Sequence, residues 1–153
     1  MEVVDRLPEE IAAALGSSVD AMRAAGVPDA PLRRALAAAR LAAALTDDLP
    51  LATGVLLHEA RRGCGDDGIP FPEGAALGLD ARSLAVAAEL AKLGEFGGAA
   101  RWSGDGGLQG NQAEVLRKML LAIVADPRLV VARIAAQLAR LRAARDAPVE
   151  ERR

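Results

Sequence analysis

Apolar residues recur at three- to four-residue spacing through most of this chain, and glycine, proline and aspartate punctuate the runs. That period belongs to amphipathic helices. A first short helix is predicted over Leu7 to Leu15, with Pro8 near its first turn and Gly16 just after its end. Ser17 or Ser18 then caps a second short helix that stops at Gly26. Asp29 and Pro31 open a longer helix to about Leu45. Its stripe Leu32, Leu36, Ala39, Ala43 leaves Arg33, Arg34 and Arg40 off the apolar face. After the turn Thr46-Asp47-Asp48, Pro50 restarts a helix through Val55, Leu56 and Leu57 to about Arg62.

The glycines and prolines between Gly63 and Gly74 predict a loop. Asp80 caps the next helix, which runs to about Leu93 with Leu84, Ala87, Ala88 and Ala91 on one face. Gly94 to Gly110 holds seven glycines around Trp102 and is expected to be a flexible loop. Gln109 or Asn111 begins a long helix to Ala125, whose apolar face includes Leu121. Asp126-Pro127 starts the last helix, ending near Arg145. The expectation is an all-α, multi-helix bundle of about five main helices plus short ones, forming one domain over residues 1–153.

Composition narrows this picture. The chain has 153 residues, 52% of them hydrophobic but only 2% aromatic, and alanine and leucine dominate. Such a mixture suits helices packed closely through small side chains and disfavours a sheet. A net charge of −2 gives no electrostatic case for nucleic acid or an acidic membrane as a partner. No apolar run is long enough to span a bilayer, and Glu2, Asp5, Glu9 and Glu10 are at odds with a cationic leader. A single cysteine, Cys64, leaves no internal disulfide framework, consistent with a reducing, cytoplasmic location.

The segment Glu114-Val115-Leu116-Arg117-Lys118-Met119-Leu120-Leu121-Ala122, followed by Asp126, Arg128 and the run Leu129-Val130-Val131, resembles the RelA/SpoT family of (p)ppGpp synthetases and hydrolases. It looks like their N-terminal HD domain. The stretch Leu138 to Arg153 is similar to the continuation in RelA-type members, and the resemblance extends over about Leu36 to Arg152. Residues 1–30 stand outside it as a poorly matched extension. In active members, the resemblance implies, a manganese ion is held by an early histidine, an adjacent His-Asp pair and a later aspartate. Imidazole and carboxylate ligands fix such a cation, which activates a water against the phosphate ester.

On that pattern His58-Glu59 falls where the His-Asp pair belongs, and His58 is the only histidine. Arg33, Arg34 and Ala35 fill the neighbourhood of the early histidine. The acidic pair expected after the His-Asp motif maps onto Arg62 and Gly63, the late aspartate onto Ala136, and an asparagine one turn further onto Arg140. The resemblance therefore implies a degenerate HD domain with a vestigial motif at His58 and Glu59, no catalytic residue and a lost manganese site. It further implies a regulatory role beside the synthetase region of a parent GTP pyrophosphokinase, in stringent-response alarmone metabolism. That synthetase region is not within this sequence. Two other readings stand beside it: a residual metal-dependent phosphohydrolase using His58 and Glu59, and a module that binds a guanine nucleotide without turning it over.

The remaining candidates have plain readings. His58 is expected as a polar residue at a helix end, and Glu59 as a solvated carboxylate. Arg61 and Arg62 suit a helix C-terminus. Gly104-Asp105-Gly106-Gly107 lacks the strand, lysine and spacing of a phosphate loop. Cys64 is expected in a flexible loop without a histidine nearby in sequence, which gives nucleophilic catalysis little support.

Overall fold

A computed structural model describes residues 7–99 and 110–148, and those residues form α-helices joined by short connections. In chain order they are α1 (Glu9–Ala24), α2 (Asp29–Thr46), α3 (Leu49–Asp66), α4 (Ala81–Ala99), α5 (Gly110–Ala125) and α6 (Arg128–Asp146), with a 3-10 turn at Gly74–Leu77. No strand occurs among the described residues. The all-α expectation holds.

Helix α3 is the axis of the bundle. It packs against α1, α2, α4 and α6, while α2 also packs against α6. The core divides into two clusters. One joins Ile11, Leu15, Val19 and Met22 of α1 to Leu32, Ala35 and Ala39 of α2 and to Leu56, Leu57, Ala60 and Cys64 of α3. The other joins Ala38, Leu41 and Ala42 of α2 to Leu51 and Val55 of α3, Leu90 and Leu93 of α4, and Leu129, Ala132, Ala135 and Ala136 of α6. Alanine at so many contacts lets the helix axes approach closely. The tightest approach is at Gly54, where an added Cβ would lie 2.5 Å from Val86 Cγ1.

One part-buried carboxylate ties the entry points of three helices. Asp48, before α3, accepts from Leu51 N at 3.0 Å as an N-cap. Its Oδ2 also accepts from Arg82 of α4 at 3.3 Å and from Arg128 of α6 at 2.5 Å. This clasp helps to fix α6 alongside α3.

Several boundaries differ from the pattern-based expectation, each for a packing reason. The two short helices expected before Gly26 are one helix, α1, running through Gly16, Ser17 and Ser18. Val19 and Met22 continue the buried stripe of Ile11 and Leu15. Burying two such side chains is worth about 1.5–3 kcal/mol each, more than the ~1 kcal/mol cost of a helical glycine. Ser18 Oγ donates to Ala14 O inside the helix rather than capping a new one. The helix stops at Gly26, whose φ of 96° is closed to most side chains.

Helix α3 continues past Arg62 to Asp66, through the start of the expected loop, because Cys64 is fully buried in the first cluster. It ends in a Schellman-type turn at Gly68, with Ile69 N donating to Cys64 O at 2.8 Å. In α4, Asp80 caps as expected, accepting from Ser83 N at 2.8 Å and Ser83 Oγ at 2.7 Å. Of the predicted face of α4, Ala87 is buried, Leu84 packs against the first cluster and Ala91 is half-buried, but Ala88 is exposed, and Ser83 and Leu90 complete the buried face. That turn of the helix brings Val86 against Gly54.

Residues 94–99, expected in the flexible Gly-rich loop, belong to α4. Leu93 is buried and anchors the end of the helix, and no proline interrupts residues 94–99. Gly110 opens α5. The middle of that loop, Trp102 and the Gly104 to Gly107 stretch lie outside the described residues. In α5 the expected core position Leu121 is 56% exposed, as are Leu120 at 51% and Val124 at 77%. Met119 and Ala122 face the second cluster instead. No helix of the described residues is long and apolar enough to cross a membrane.

Candidate functional site

The residues that matter lie where α3 and α6 run side by side. On α3, His58, Glu59, Arg62 and Gly63 follow i, i+1, i+4, i+5 spacing and share one side of the helix. On α6, Arg133, Ala136, Gln137 and Arg140 follow i, i+3, i+4, i+7 spacing and likewise share one side. His58, Glu59, Ala136 and Arg140 line one small cavity of about 10 Å³, with Leu90 of α4 as part of its wall. Glu59 and Arg140 also line a larger groove of about 460 Å³, together with Arg34, Arg62 and Gly63. All six positions singled out in the sequence therefore converge at one place.

The strongest contact there is an ion pair 81 residues apart in sequence. Arg140 Nε donates to Glu59 Oε2 at 3.0 Å and Arg140 Nη2 donates to Glu59 Oε1 at 2.5 Å. This is the two-pronged geometry that makes arginine–carboxylate pairs strong. The third prong, Nη1, donates to Gln137 Oε1 at 2.7 Å. The Glu59 side chain is only 8% exposed and that of Arg140 33%.

Glu59 is thus not a solvated helix-face carboxylate, and Arg140 is not simply part of the polar side of α6. A glutamate carried into a helix packed on its neighbours must find a counter-charge, and Arg140 supplies it.

His58 lies in the middle of α3, not at a helix end. Its Nε2 is 3.8 Å from Glu59 Oε1, and its side chain is 16% exposed. Burial holds the imidazole below the ordinary histidine range. Glu59 pulls the other way, while Arg140, Arg62 and Arg133 add to the lowering. At neutral pH the ring is uncharged and offers one acceptor nitrogen.

The donors do not fit a manganese centre. Such a centre takes about four to six ligands, mostly imidazole and carboxylate. Glu59 spends both oxygens on Arg140, Ala136 has no donor, and Arg62 and Gly63 supply neither imidazole nor carboxylate. Among the described residues no three histidine, cysteine, aspartate or glutamate side chains come together as a metal ion requires. In chemical terms the arrangement offers a neutral imidazole, a neutralised carboxylate and a surplus of guanidinium.

A family model described as an HD domain matches residues 12–153. The chain belongs to the HD-domain family. No curated protein matches it, and no solved structure does. The match extends over α1 from its first turn through α6, so the residues of the α3–α6 cleft lie within the matched region.

Two residues of the HD-domain cleft were missed by motif reading. Arg133 and Gln137 stand seven and three positions before Arg140, spacings that put all three on one helix face. That periodicity was the available signal. Arg34, where the resemblance would place an early histidine, reaches the groove and pairs with Asp67 at 3.6 Å. Cys64, expected in a loop, is buried in α3, and burial pushes its thiol above the usual range. Arg61 points away from the cleft residues, stacked over the Phe71 ring at 5.6 Å.

Proposed function

We propose that this HD domain is a catalytically inactive pseudo-hydrolase, a regulatory module of a RelA-type (p)ppGpp synthetase. The observation that carries the reading is the Glu59–Arg140 fork. A carboxylate that would have to face a divalent cation is instead saturated by a fixed guanidinium, and its only imidazole neighbour is uncharged. With no third donor, the domain holds no manganese and generates no metal-bound hydroxide for attack on a phosphate ester.

The RelA-type parent is supported by the resemblance of Glu114 to Val131 and of the residues after Leu138. Regulation by contact is supported by the outer face of α5. Leu120, Leu121 and Val124 fall within about one-third of the helix circumference and are all more than half exposed. Apolar side chains grouped in this way mark a surface that another protein region covers. The synthetase region of the parent is the partner proposed for it.

The direct test is a hydrolysis assay on the purified domain with ppGpp and manganese, run beside elemental analysis of the protein. The expected result is no pyrophosphate release and no retained metal. Stoichiometric manganese together with pyrophosphate release would sink the pseudo-enzyme reading. For the regulatory half, Leu121→Glu in the parent protein should change the rate of (p)ppGpp synthesis without unfolding this domain. An unchanged rate would remove α5 as the contact.

A further inference from the structure

We infer that the outer face of α6 is a docking seam for an acidic amphipathic helix of a partner protein, which lies antiparallel to α6 with its acidic first turn against Arg142 and Arg145. The seam lies on a different helix from the α5 contact, and its chemistry is independent of what the α3–α6 cleft holds.

Val131, Ile134, Leu138 and Leu141 follow one another at intervals of three, four and three residues. That is the a/d spacing which runs an apolar seam straight along a helix. The bundle does not need all of it, because α6 packs on its neighbours chiefly through Leu129, Ala132, Ala135 and Ala136. Leu138 leans on the second cluster and Val131 is half-buried, whereas Ile134 is 58% exposed and Leu141 66%. Ile134 and Leu141 stand two turns apart on one side of α6 and belong to neither core cluster. Large apolar side chains held in register on a surface mark a place that another element covers.

Charge decides what covers it. Helix α6 carries five arginines and no acidic residue before Asp146, in a chain whose net charge is −2. Arg128 and Arg140 are taken up by Asp48 and Glu59. Arg142, next to Leu141, is exposed and forms no ion pair among the described residues. Arg145 ends the seam one turn later and pairs with its neighbour Asp146 at 3.0 Å, an exposed pair of little strength. A second copy of α6 does not complete this face. Antiparallel pairing that sets Ile134 opposite Leu141 also sets Arg142 opposite Arg133, and parallel pairing sets each arginine opposite itself. A lipid surface is a poor match as well. Interfacial helices present tryptophan, phenylalanine and leucine over a broad face, whereas α6 has no aromatic residue and a narrow seam.

The orientation follows from the helix dipoles. An antiparallel occupant brings its own N-terminus to the C-terminal end of α6, where acidic side chains suit both that dipole and the two guanidiniums. From Val131 to Arg145 the seam runs about 21 Å at the helical rise per residue, so the occupant is a helix of about four turns. A helix of that length is marginal alone and orders as it binds, which keeps the contact weak and reversible.

The test titrates the intact chain with a synthetic peptide of about four helical turns, apolar at heptad a and d positions and with glutamates in its first turn and along one flank. Beside it run the same peptide with lysine for glutamate, a version with the glutamates moved to its last turn, and vesicles of anionic phospholipid. Fluorescence anisotropy is expected to give a Kd of about 10–100 μM for the acidic peptide. Circular dichroism should show more helix than the two components give separately, and NMR shifts should centre on Ile134, Leu141 and Arg142. The lysine peptide and the peptide with its acids moved should each bind about tenfold more weakly or worse. Ile134→Glu, Leu141→Glu and Arg142→Glu should each weaken the acidic peptide about tenfold or more, and added salt should weaken it too. Arg142→Glu should in turn improve binding of the lysine peptide, which a purely structural arginine would not do. Ala13→Glu, on the exposed side of α1, should change nothing. Should Ile134→Glu unfold the domain, Ile134→Ala removes the anchor without adding charge and should still weaken binding.

No binding at millimolar peptide, equal binding of the lysine peptide or of the peptide with its acids moved, or NMR shifts on α5 instead of α6 overturns the proposal. Dimerisation of the chain alone that Ile134→Glu abolishes would assign the seam to a second copy, and vesicle binding without peptide binding would assign it to a lipid surface. Either result overturns it, and neither bears on the pseudo-enzyme reading of the cleft.

Discussion

Removing Arg140 while keeping Glu59 tests the electrostatic account of the cleft. In Arg140→Leu the Glu59 carboxylate, 8% exposed, loses its fork and is left beside the uncharged His58 and an apolar wall that includes Val55 and Leu90, with Arg133 lining the same cavity and Arg62 the adjoining groove but neither hydrogen-bonded to it. Breaking a buried ion pair by deleting one partner costs about 3–5 kcal/mol when both ends are dry. Arg140 is 33% exposed, so water reaches the broken site and a loss of about 2–3 kcal/mol is expected. For a domain of this size that lowers the unfolding midpoint by about 5–10 °C.

The double variant Glu59→Leu/Arg140→Leu removes both charges and offers apolar surface to Val55, Leu90 and Ala136. It should recover to within about 1 kcal/mol of the parent, since well-packed apolar replacements of a buried pair are often neutral. Urea unfolding of the four proteins, analysed by linear extrapolation, yields the coupling energy directly. If the double variant loses as much as the two single changes added together, the fork contributes nothing and the reasoning fails.

Three further outcomes rest on packing and titration. Gly54→Ala gains up to ~1 kcal/mol of helix propensity but places a methyl 2.5 Å from Val86 Cγ1. Overpacking of about 1–3 kcal/mol should win, and a stabilised variant in thermal unfolding would refute the close approach of α3 and α4. Leu56→Ala, in the first cluster, should cost about 2–5 kcal/mol. Leu121→Ala, on the exposed face of α5, should stay within about 0.5 kcal/mol, and equal losses in urea would mean that α5 is turned the wrong way. His58 has its pKa held down by burial in the folded protein, so below about 6.5 the unfolded chain takes up the proton first. Its contribution is therefore complete above that pH and declines as pH falls through the window beneath it. His58→Gln should flatten the stability profile there, and an identical slope in urea titrations would refute the shift.

The helices were legible because their apolar period is strong, and the convergence of His58, Glu59, Arg62, Gly63, Ala136 and Arg140 was legible through the family resemblance. The features beyond the reach of the sequence were set by tertiary contact. Gly16 reads as a helix stop until Val19 and Met22 find a core that outweighs it. Gly63 and Gly65 read as loop until Cys64 is buried beneath them. Leu121 belongs to an apolar run that could face inward in several registers, and α4 and the second cluster chose Met119 and Ala122. Above all, nothing in local spacing pairs Glu59 with Arg140, because their meeting depends on how α6 returns along α3.

On the proposed reading, that return also explains how the scaffold keeps its packing without metal donors in the cleft. Ala136 is 6% exposed and is itself a member of the second cluster. At this position a small apolar residue adds to the packing of α6 on α3 instead of interrupting it. A carboxylate there would enter an apolar cluster beside Glu59, whose counter-charge is already engaged with both oxygens. Two carboxylates at one dry site are tolerated only if a cation or a proton joins them. On the proposed reading, Ala136 and the Arg140 fork support one another: the alanine adds no charge that would need a metal, and the guanidinium supplies the counter-charge to Glu59. On that reading, a cleft without metal donors and an intact helix bundle follow from the same contact.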